Sequence, residues 1–207
     1  MENELLYQRW VKIMREKTEK LSGGKIGYAH VRGMDDESFR EVFSEVLGSR
    51  NTEKEGIIID SRFNGGGWLH DDLATLLSGK RYLDFTPRGQ YIGSDPQNKW
   101  TKKSAILVSE SNYSDAHGFP VAYRALGLGK IVGMPVPGTM TAVWWETLLD
   151  GTTYFGIPQV GVRDMQGRYQ ENLQLEPDVK MPQMIEKVTN GEDEQLQKAV
   201  EVLLKEK

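Results

Sequence analysis

Gly56-Ile57-Ile58-Ile59-Asp60 runs on to Asn64-Gly65-Gly66-Gly67, and this segment is the clearest indication of the fold. A short, continuous aliphatic run of this kind is typical of a parallel strand that is covered on both faces. The glycines that follow indicate a tight turn from strand to helix. A second aliphatic run, over residues 105–109, leads to Ser114-Asp115. Two such strand-to-helix junctions predict an α/β fold.

Periodicity along the rest of the chain predicts alternating helices and strands. Apolar spacing predicts helices over 3–21, 35–48, 69–77 and 114–127, and a final helix after Asp193. Strands are predicted over 25–31, 56–61, 105–109 and 131–136, a loop over 86–103, and a hairpin over 143–155 around Asp150-Gly151. Because this alternation is typical of parallel sheets, we predict one domain over residues 1–207. Its fold class is α/β, with a mostly parallel sheet, C-terminal β-hairpins and a final helix.

The composition is that of an ordinary globular protein, and it argues against several classes of function. The chain has 207 residues, a net charge of −4 and interspersed acids and bases, so no basic stripe suggests a nucleic-acid partner. It contains no cysteine, which excludes disulfides, a thiolate nucleophile and cysteine-ligated zinc. No run of about 18 apolar residues is present, so no membrane span is expected. Neither a metal nor a cofactor is predicted, and the compartment, cytoplasmic or exported, stays open.

The glycine run has three possible uses. A phosphate cradle is disfavoured, because the glycine-rich nucleotide-binding patterns are absent and Asp71-Asp72 would repel an anion. The second use is purely structural: the glycines form a tight turn between a strand and a helix. The third is an oxyanion hole, which needs a nucleophile nearby. The carboxyl ends of adjacent parallel strands lie at one edge of a sheet, so Ser114 would face the glycines.

Ser114 also has two possible roles, one structural and one functional. A serine before a helix is usually only an N-cap. The polar segment 109–113 reads instead as a shaped loop, and the amide of Asp115 is the donor that a nucleophile elbow uses. A serine nucleophile needs a base. We expect His30 to be half-buried and structural and His70 to be solvated, while His117, at i+3 from Ser114, is poorly placed to take its proton. The sequence predicts no base within this chain.

The motifs taken together resemble those of a known protease family. The matching elements are Gly27-Tyr28, the run from Ile58 to Gly67 that contains Arg62-Phe63-Asn64, the Ser114-Asp115 pair, the segment 126–133, and Glu171-Asn172 before Glu176-Pro177-Asp178-Val179. In this order they resemble the C-terminal core domain of tricorn-type serine proteases, which are related to the tail-specific (C-terminal processing) peptidases of family S41. The resemblance covers residues 7–182. It implies a ClpP/crotonase-like spiral fold and a serine-peptidase activity on peptides or unfolded proteins.

The resemblance also implies roles for individual residues. Ser114 matches the nucleophile, the amides of Gly67 and Asp115 match the oxyanion hole, and Glu171 matches the acid that polarises the catalytic group. Substrate-binding residues are expected to be Gly65, Gly66, Asp84 and Phe85. In the family an acidic residue for a basic substrate side chain falls in the strand from Arg81 to Thr86. Counting from the glycines places Phe85 there, with Asp84 adjacent and facing the other way.

A further departure from the family pattern shapes the functional hypotheses. The catalytic histidine and the PDZ-like domain of the family lie upstream, and nothing here matches them, so we expect this chain to be a fragment of a longer parent. The first hypothesis is the core of a serine endopeptidase whose base comes from outside the chain. The alternative is a non-catalytic peptide- or ligand-binding module on the same fold. A third hypothesis, acyl-CoA chemistry, is disfavoured because the sequence contains no nucleotide-binding signature. Expected partners are a peptide substrate, the upstream domains of the parent, and other copies of the chain in a homo-oligomer.

Overall fold

A five-stranded sheet forms the centre of the protein, which we describe over residues 2–206 of a computed structural model. The strands are β1 (Ile26–His30), β2 (Gly56–Asp60), β3 (Leu83–Phe85), β4 (Gly93–Asp95), β5 (Lys103–Val108), β6 (Gly129–Gly133), β7 (Ala142–Thr147), β8 (Tyr154–Val160) and β9 (Val179–Lys180). The helices are α1 (Glu2–Ser22), α2 (Asp36–Leu47), α3 (Ser49–Thr52), α4 (His70–Leu77), α5 (Asp115–Ala125), α6 (Ile185–Thr189) and α7 (Glu194–Lys205).

The central sheet has the order β1-β2-β5-β6-β9, and every pair in it is parallel. Its register aligns the end of β2 with both neighbours: Asp60 lies opposite His30 and opposite Leu107. The loops that follow β1, β2 and β5 therefore emerge at one edge of the sheet. This edge is where the glycine run and Ser114 meet.

Helices cover both faces of the sheet, which explains the continuous aliphatic run of β2. One face of β2, which includes Ile57 and Ile59, packs in a cluster with residues of α2, α4 and α5. The opposite face, which includes Ile58, packs in a second cluster with residues of α1 and α7. β2 is thus buried on both sides, as its continuous aliphatic run predicts.

A buried charge network ties the end of β2 to the start of α7. The Arg62 guanidinium donates to Asp60 (Nε to Oδ1, 2.9 Å) and to Asp193 (Nη1 to Oδ1, 3.1 Å). Asp193 in turn caps α7 by accepting from the Leu196 amide, and Tyr28 donates to Asp60. Burial alone would raise the pKa of Asp60, but the guanidinium lowers it. The network compensates the charges buried beneath the loop that carries the glycines.

The predicted α/β fold, with its mostly parallel sheet, C-terminal hairpin and final helix, is confirmed. Some boundaries differ. The strand predicted over 131–136 is β6, Gly129–Gly133, and the predicted loop over 86–103 contains β4, which pairs with β3. The C-terminal hairpin is longer than predicted and consists of β7 and β8. Short helices α3 and α6 were not predicted, because their few residues show no clear apolar period.

Candidate active site

Ser114 lies at the junction of β5 and α5 in an unusual backbone conformation. Its φ of 54° and ψ of −122° fall in a region that L-residues rarely occupy. Its side chain makes no capping hydrogen bond, although it occupies the N-cap position. The amide of Ser114 is held by the Thr139 hydroxyl at 3.0 Å. The Ser114 hydroxyl therefore does not cap the helix, which is the structural role that a serine at this position usually has.

The glycine run packs directly against Ser114. A Cβ added at Gly66 would lie 2.7 Å from the Cβ of Ser114 and 3.1 Å from the amide nitrogen of Asp115. A Cβ at Gly67 would lie 2.1 Å from the carbonyl oxygen of Met34. Both glycines have positive φ, 94° and 141°. Only glycine fits at these two positions, and the close approach is what brings the loop to the serine.

Two backbone amides in this corner have no internal acceptor. The N–H groups of Gly67 and Asp115 form no hydrogen bond with any other group within residues 2–206. Neighbouring amides are occupied, since Gly66 donates to the Asn64 side chain and Trp68 donates to Met34. Free amides beside a serine hydroxyl are the donors that an oxyanion requires.

The Asp115 carboxylate connects the start of α5 to the segment that follows the glycine run. It accepts from the backbone amides of Leu69 (2.6 Å) and His70 (3.0 Å), and from Nδ1 of the His70 ring (2.5 Å). The hydrogen bond to Asp115 raises the pKa of His70. The expectation that His70 is solvated is therefore wrong: its ring is partly buried and tied to a carboxylate 45 residues away. One side chain thus links the start of α5 to the loop that carries Gly67.

The other two histidines have structural surroundings. His30 contacts the Tyr7 hydroxyl (2.9 Å) and the carbonyl of Arg62 (3.3 Å), as the structural reading predicts. His117 is fully buried, and its Nδ1 accepts from the Thr139 amide at 3.3 Å. Burial lowers the pKa of His117 to about 4. In the described chain, no hydrogen bond joins the Ser114 hydroxyl to any of the three imidazoles.

Ser114 opens onto a cleft of about 630 Å³, which we call the Ser114 cleft. One wall consists of the glycine loop, Trp68, His70 and the segment 113–115. The other wall is formed by the approach to β7 and by the far end of β8, and its lining residues are Met140, Thr141, Ala142, Val143, Trp145, Val160 and Val162. Apart from the His70–Asp115 pair, the lining side chains carry no charge. The cleft is a largely apolar groove with backbone donors at one end.

The predicted site residues divide into those that line this cleft and those that do not. Ser114, Asp115, Gly65, Gly66 and Gly67 all line it. Glu171 lies next to it, where its carboxylate accepts from the Thr141 amide at 2.9 Å.

Asp84 and Phe85 lie on the β3–β4 hairpin, outside the lining of the Ser114 cleft, and Asp84 is paired with Arg81. Their role in substrate binding stays a prediction.

Sequence reasoning missed the contributions of His70, Thr139 and Trp145. Each depends on a contact between segments that are far apart in the chain. A partial signal existed for His70, since a histidine just after a glycine turn begins a helix whose N-terminal amides need an acceptor. No local pattern could have indicated that Asp115 would be that acceptor.

Residues 25–181 match the family model described as peptidase family S41. The chain belongs to this family. Among curated relatives, it is 29% identical over 202 residues to the Tricorn protease of Thermoplasma acidophilum, covering 97% of this chain and 19% of that protein. It is 28% identical over 207 residues to the Tricorn protease homolog of Saccharolobus solfataricus, covering 99% of this chain and 19% of the relative. The S41 chain thus corresponds to a small part of each relative's length.

Solved structures support the same assignment. The crystal structure of the tricorn protease superposes with a TM-score of 0.84 at 26% identity, covering 96% of this S41 chain and 19% of that one. The photosystem II D1 C-terminal processing protease superposes with a TM-score of 0.57 at 18% identity over 76% of this chain and 42% of that one, which shows a shared fold. The core is therefore of the tricorn type, as the motifs predict.

Two further features are absent from residues 2–206. None of the helices within these residues combines the length and the hydrophobicity that a transmembrane span requires. The same residues contain no cluster of three or more acidic, histidine or cysteine side chains able to hold a metal ion.

Proposed function

We propose that this chain is the core of a serine endopeptidase, with Ser114 as its nucleophile. The observation that carries the proposal is the backbone of Ser114 at φ 54° and ψ −122°, which leaves the serine without a capping hydrogen bond in a loop where the amides of Gly67 and Asp115 have no internal acceptor. Strain of this kind is retained where the surrounding structure holds it in place for a functional reason. Family membership supports a serine-type peptidase as the reaction class.

In the proposed reaction, Ser114 Oγ attacks the carbonyl carbon of a peptide bond and transfers its proton to a base. The carbonyl oxygen becomes an oxyanion, and the amides of Gly67 and Asp115 donate to it. Each donor of this kind contributes on the order of 10²–10³ in rate in other serine hydrolases. The peptide bond then breaks, its nitrogen leaves with the proton, and water releases the acyl group from Ser114.

The base is the part of the site that we place outside this chain. His30 and His70 are bonded elsewhere, and His117 is buried with its Nδ1 bonded to the Thr139 amide. Ser114 has no imidazole partner within the described residues. We propose that upstream domains of a longer parent protein supply it and that Glu171, beside the cleft, orients the catalytic group. Without its base, the isolated chain is expected to react slowly.

We also propose that the chain forms a homo-oligomer. A strictly monomeric sedimentation coefficient at high concentration would contradict this.

A fluorophosphonate probe tests the nucleophile. The parent protein is expected to be labelled at Ser114, the isolated chain to be labelled more slowly, and Ser114→Ala to lose the label. Ser111→Ala is the matched control, because Ser111 lies three residues away in the same loop and bonds to Ser109 instead. Peptide mapping by mass spectrometry locates the label. Equal labelling of the parent and its Ser114→Ala variant would remove Ser114 from the mechanism.

The second candidate function is a peptide-binding module without turnover. The observation that favours it is that, within the described residues, the Ser114 hydroxyl has no hydrogen-bonded base. Such a module would bind peptides in the Ser114 cleft but would show neither labelling nor hydrolysis when the upstream domains of the parent are present. Measuring both properties on the same parent preparation separates the two functions.

A further inference from the structure

β7 and β8 contribute Ala142, Val143, Trp145 and Val160 to the lining of the Ser114 cleft. These strands form a two-stranded sheet apart from the central one. Within that hairpin, Trp145 lines the cleft whereas its neighbour Trp144 does not. Successive side chains of a strand point to opposite faces, so β7 has a cleft face with Val143 and Trp145 and a back face with Trp144. On the cleft face Trp145 packs edge-on against Tyr154, with ring centroids 5.6 Å apart.

The free edge of β7 can also bind a backbone. In the described chain β7 pairs only with β8, so its other edge has unpaired N–H and C=O groups. Leu148 donates to the carbonyl of Thr153, and hydrogen-bonded pairs alternate along an antiparallel ladder. Val143, in register with Pro158, therefore falls in a pair that is not hydrogen-bonded, which suits a proline without an N–H.

The backbone groups of Val143 and Trp145 consequently point to the free edge. An extended peptide can add there as a further strand, which is a common mode of peptide recognition.

The chemistry of the cleft then selects the side chain. Met140, Val143 and Trp145 are apolar, as is Trp68 on the opposite wall. The His70–Asp115 pair compensates its own charge. Asp84, the acidic residue in the segment where the family has its acid for a basic side chain, lies on another hairpin and is paired with Arg81. A lysine or arginine side chain in this cleft would lose hydration without gaining a free counter-charge.

We infer that the Ser114 cleft is a specificity pocket for an extended peptide with a large apolar side chain, with Trp145 as the residue that determines the preference. The inference rests on the proposed peptide chemistry at Ser114 but not on its catalysis, since binding alone expresses the preference. It assigns to β7 and β8 the selectivity that the resemblance assigns to the segment around Asp84 and Phe85.

Binding of labelled pentapeptides to the 207-residue chain tests the inference, using Ser114→Ala so that no hydrolysis intervenes. The peptides are alanine pentapeptides whose central residue is Leu, Lys or Glu, and fluorescence anisotropy gives the dissociation constants. Burying a leucine side chain predicts that the Leu peptide binds at least about ten-fold more tightly than the Lys or Glu peptide.

Trp145→Ala is expected to remove that preference. Trp144→Ala is the matched control: Trp144 is 59% exposed and Trp145 61% exposed, on adjacent positions of one strand, but only Trp145 lines the cleft. A second variant, Val143→Glu, supplies a counter-charge and is expected to favour the Lys peptide over the Leu peptide. Circular dichroism and thermal unfolding confirm that each variant is folded.

Equal affinity for the three peptides, equal loss in both tryptophan variants, or no binding to the folded chain would overturn the inference. Covalent labelling of Ser114 is an independent readout. If labelling occurs without an apolar preference, the proposed function stands and the pocket assignment is wrong. If the preference occurs without labelling in the parent, the pocket assignment stands and the peptidase mechanism is wrong.

Discussion

At the scale of the residue, the buried guanidinium of Arg62 shows how charge compensation stabilises the edge of the central sheet at which Ser114 and the glycine run lie. The side chain is only 2% exposed, and it compensates Asp60 at the end of β2 and Asp193 at the start of α7. Removing one partner of a buried ion pair leaves an uncompensated charge, which costs far more than the net contribution of the pair. The loop that begins at Arg62 and reaches Gly67 depends on this compensation.

We therefore predict that Arg62→Met lowers the free energy of unfolding by about 3–5 kcal/mol. The control is Arg168→Met, because Arg168 pairs with Asp164 at the surface with 64% of its side chain exposed. Surface pairs of this kind contribute at most about 1 kcal/mol. Urea unfolding at neutral pH measures both variants. A similar small loss in the two would show that the Arg62 network adds little to stability.

At the scale of the element, the glycine loop between β2 and α4 has positions that differ sharply in their tolerance. A Cβ at Gly66 would collide with Ser114 and with the carbonyl of Tyr113 at 2.7 Å, whereas a Cβ at Gly65 would meet nothing within 4 Å. Gly66 also has a φ of 94°, which an alanine rarely adopts. The loop thus requires glycine at position 66, whereas position 65 has room for a larger residue.

Gly66→Ala is predicted to lower the free energy of unfolding by about 1–3 kcal/mol and to slow covalent labelling of Ser114, because the loop must move away from the serine. Gly65→Ala is the matched control and is expected to keep both properties near those of the unsubstituted protein. Labelling kinetics and urea unfolding on the same preparations make the comparison. Unchanged labelling in Gly66→Ala would mean that the loop does not contribute to the reacting centre.

At the scale of the whole molecule, two histidines give the stability of the protein opposite dependences on pH. Burial lowers the pKa of His117 to about 4 from an ordinary value of 6.5, although the nearby Glu171 acts to raise it. Below pH 6.5 the unfolded chain therefore binds a proton at this residue that the folded chain does not. His70 behaves in the opposite sense, because Asp115 raises its pKa above 6.5. Its contribution is present below pH 6.5 and is lost as the pH rises through the folded value.

We predict that the unfolding free energy falls as the pH drops from 6.5 toward 4, with His117 contributing a slope of at most about 1.4 kcal/mol per pH unit. In His117→Gln this acid limb becomes shallower, whatever the absolute stability of the variant. His70→Gln serves as the control, since it should flatten the limb above pH 6.5 and leave the acid limb unchanged. Urea unfolding between about pH 4.5 and pH 8.5 tests both, and an acid slope that His117→Gln leaves intact would contradict the assignment.

The parallel core, and a glycine run that lies beside Ser114, could be predicted from the amino-acid sequence alone. Aliphatic runs read locally as strands buried on two faces, and the carboxyl ends of parallel strands share one edge whatever else the chain does. Two contacts of the site follow from the packing of whole elements: Asp115 binds His70, and Trp145 lines the same cleft as Ser114. Those contacts join segments separated by tens of residues, and a side chain's partner across such a distance depends on how whole elements pack. Periodicity and turn chemistry describe neighbours in the chain, so they leave such partners open.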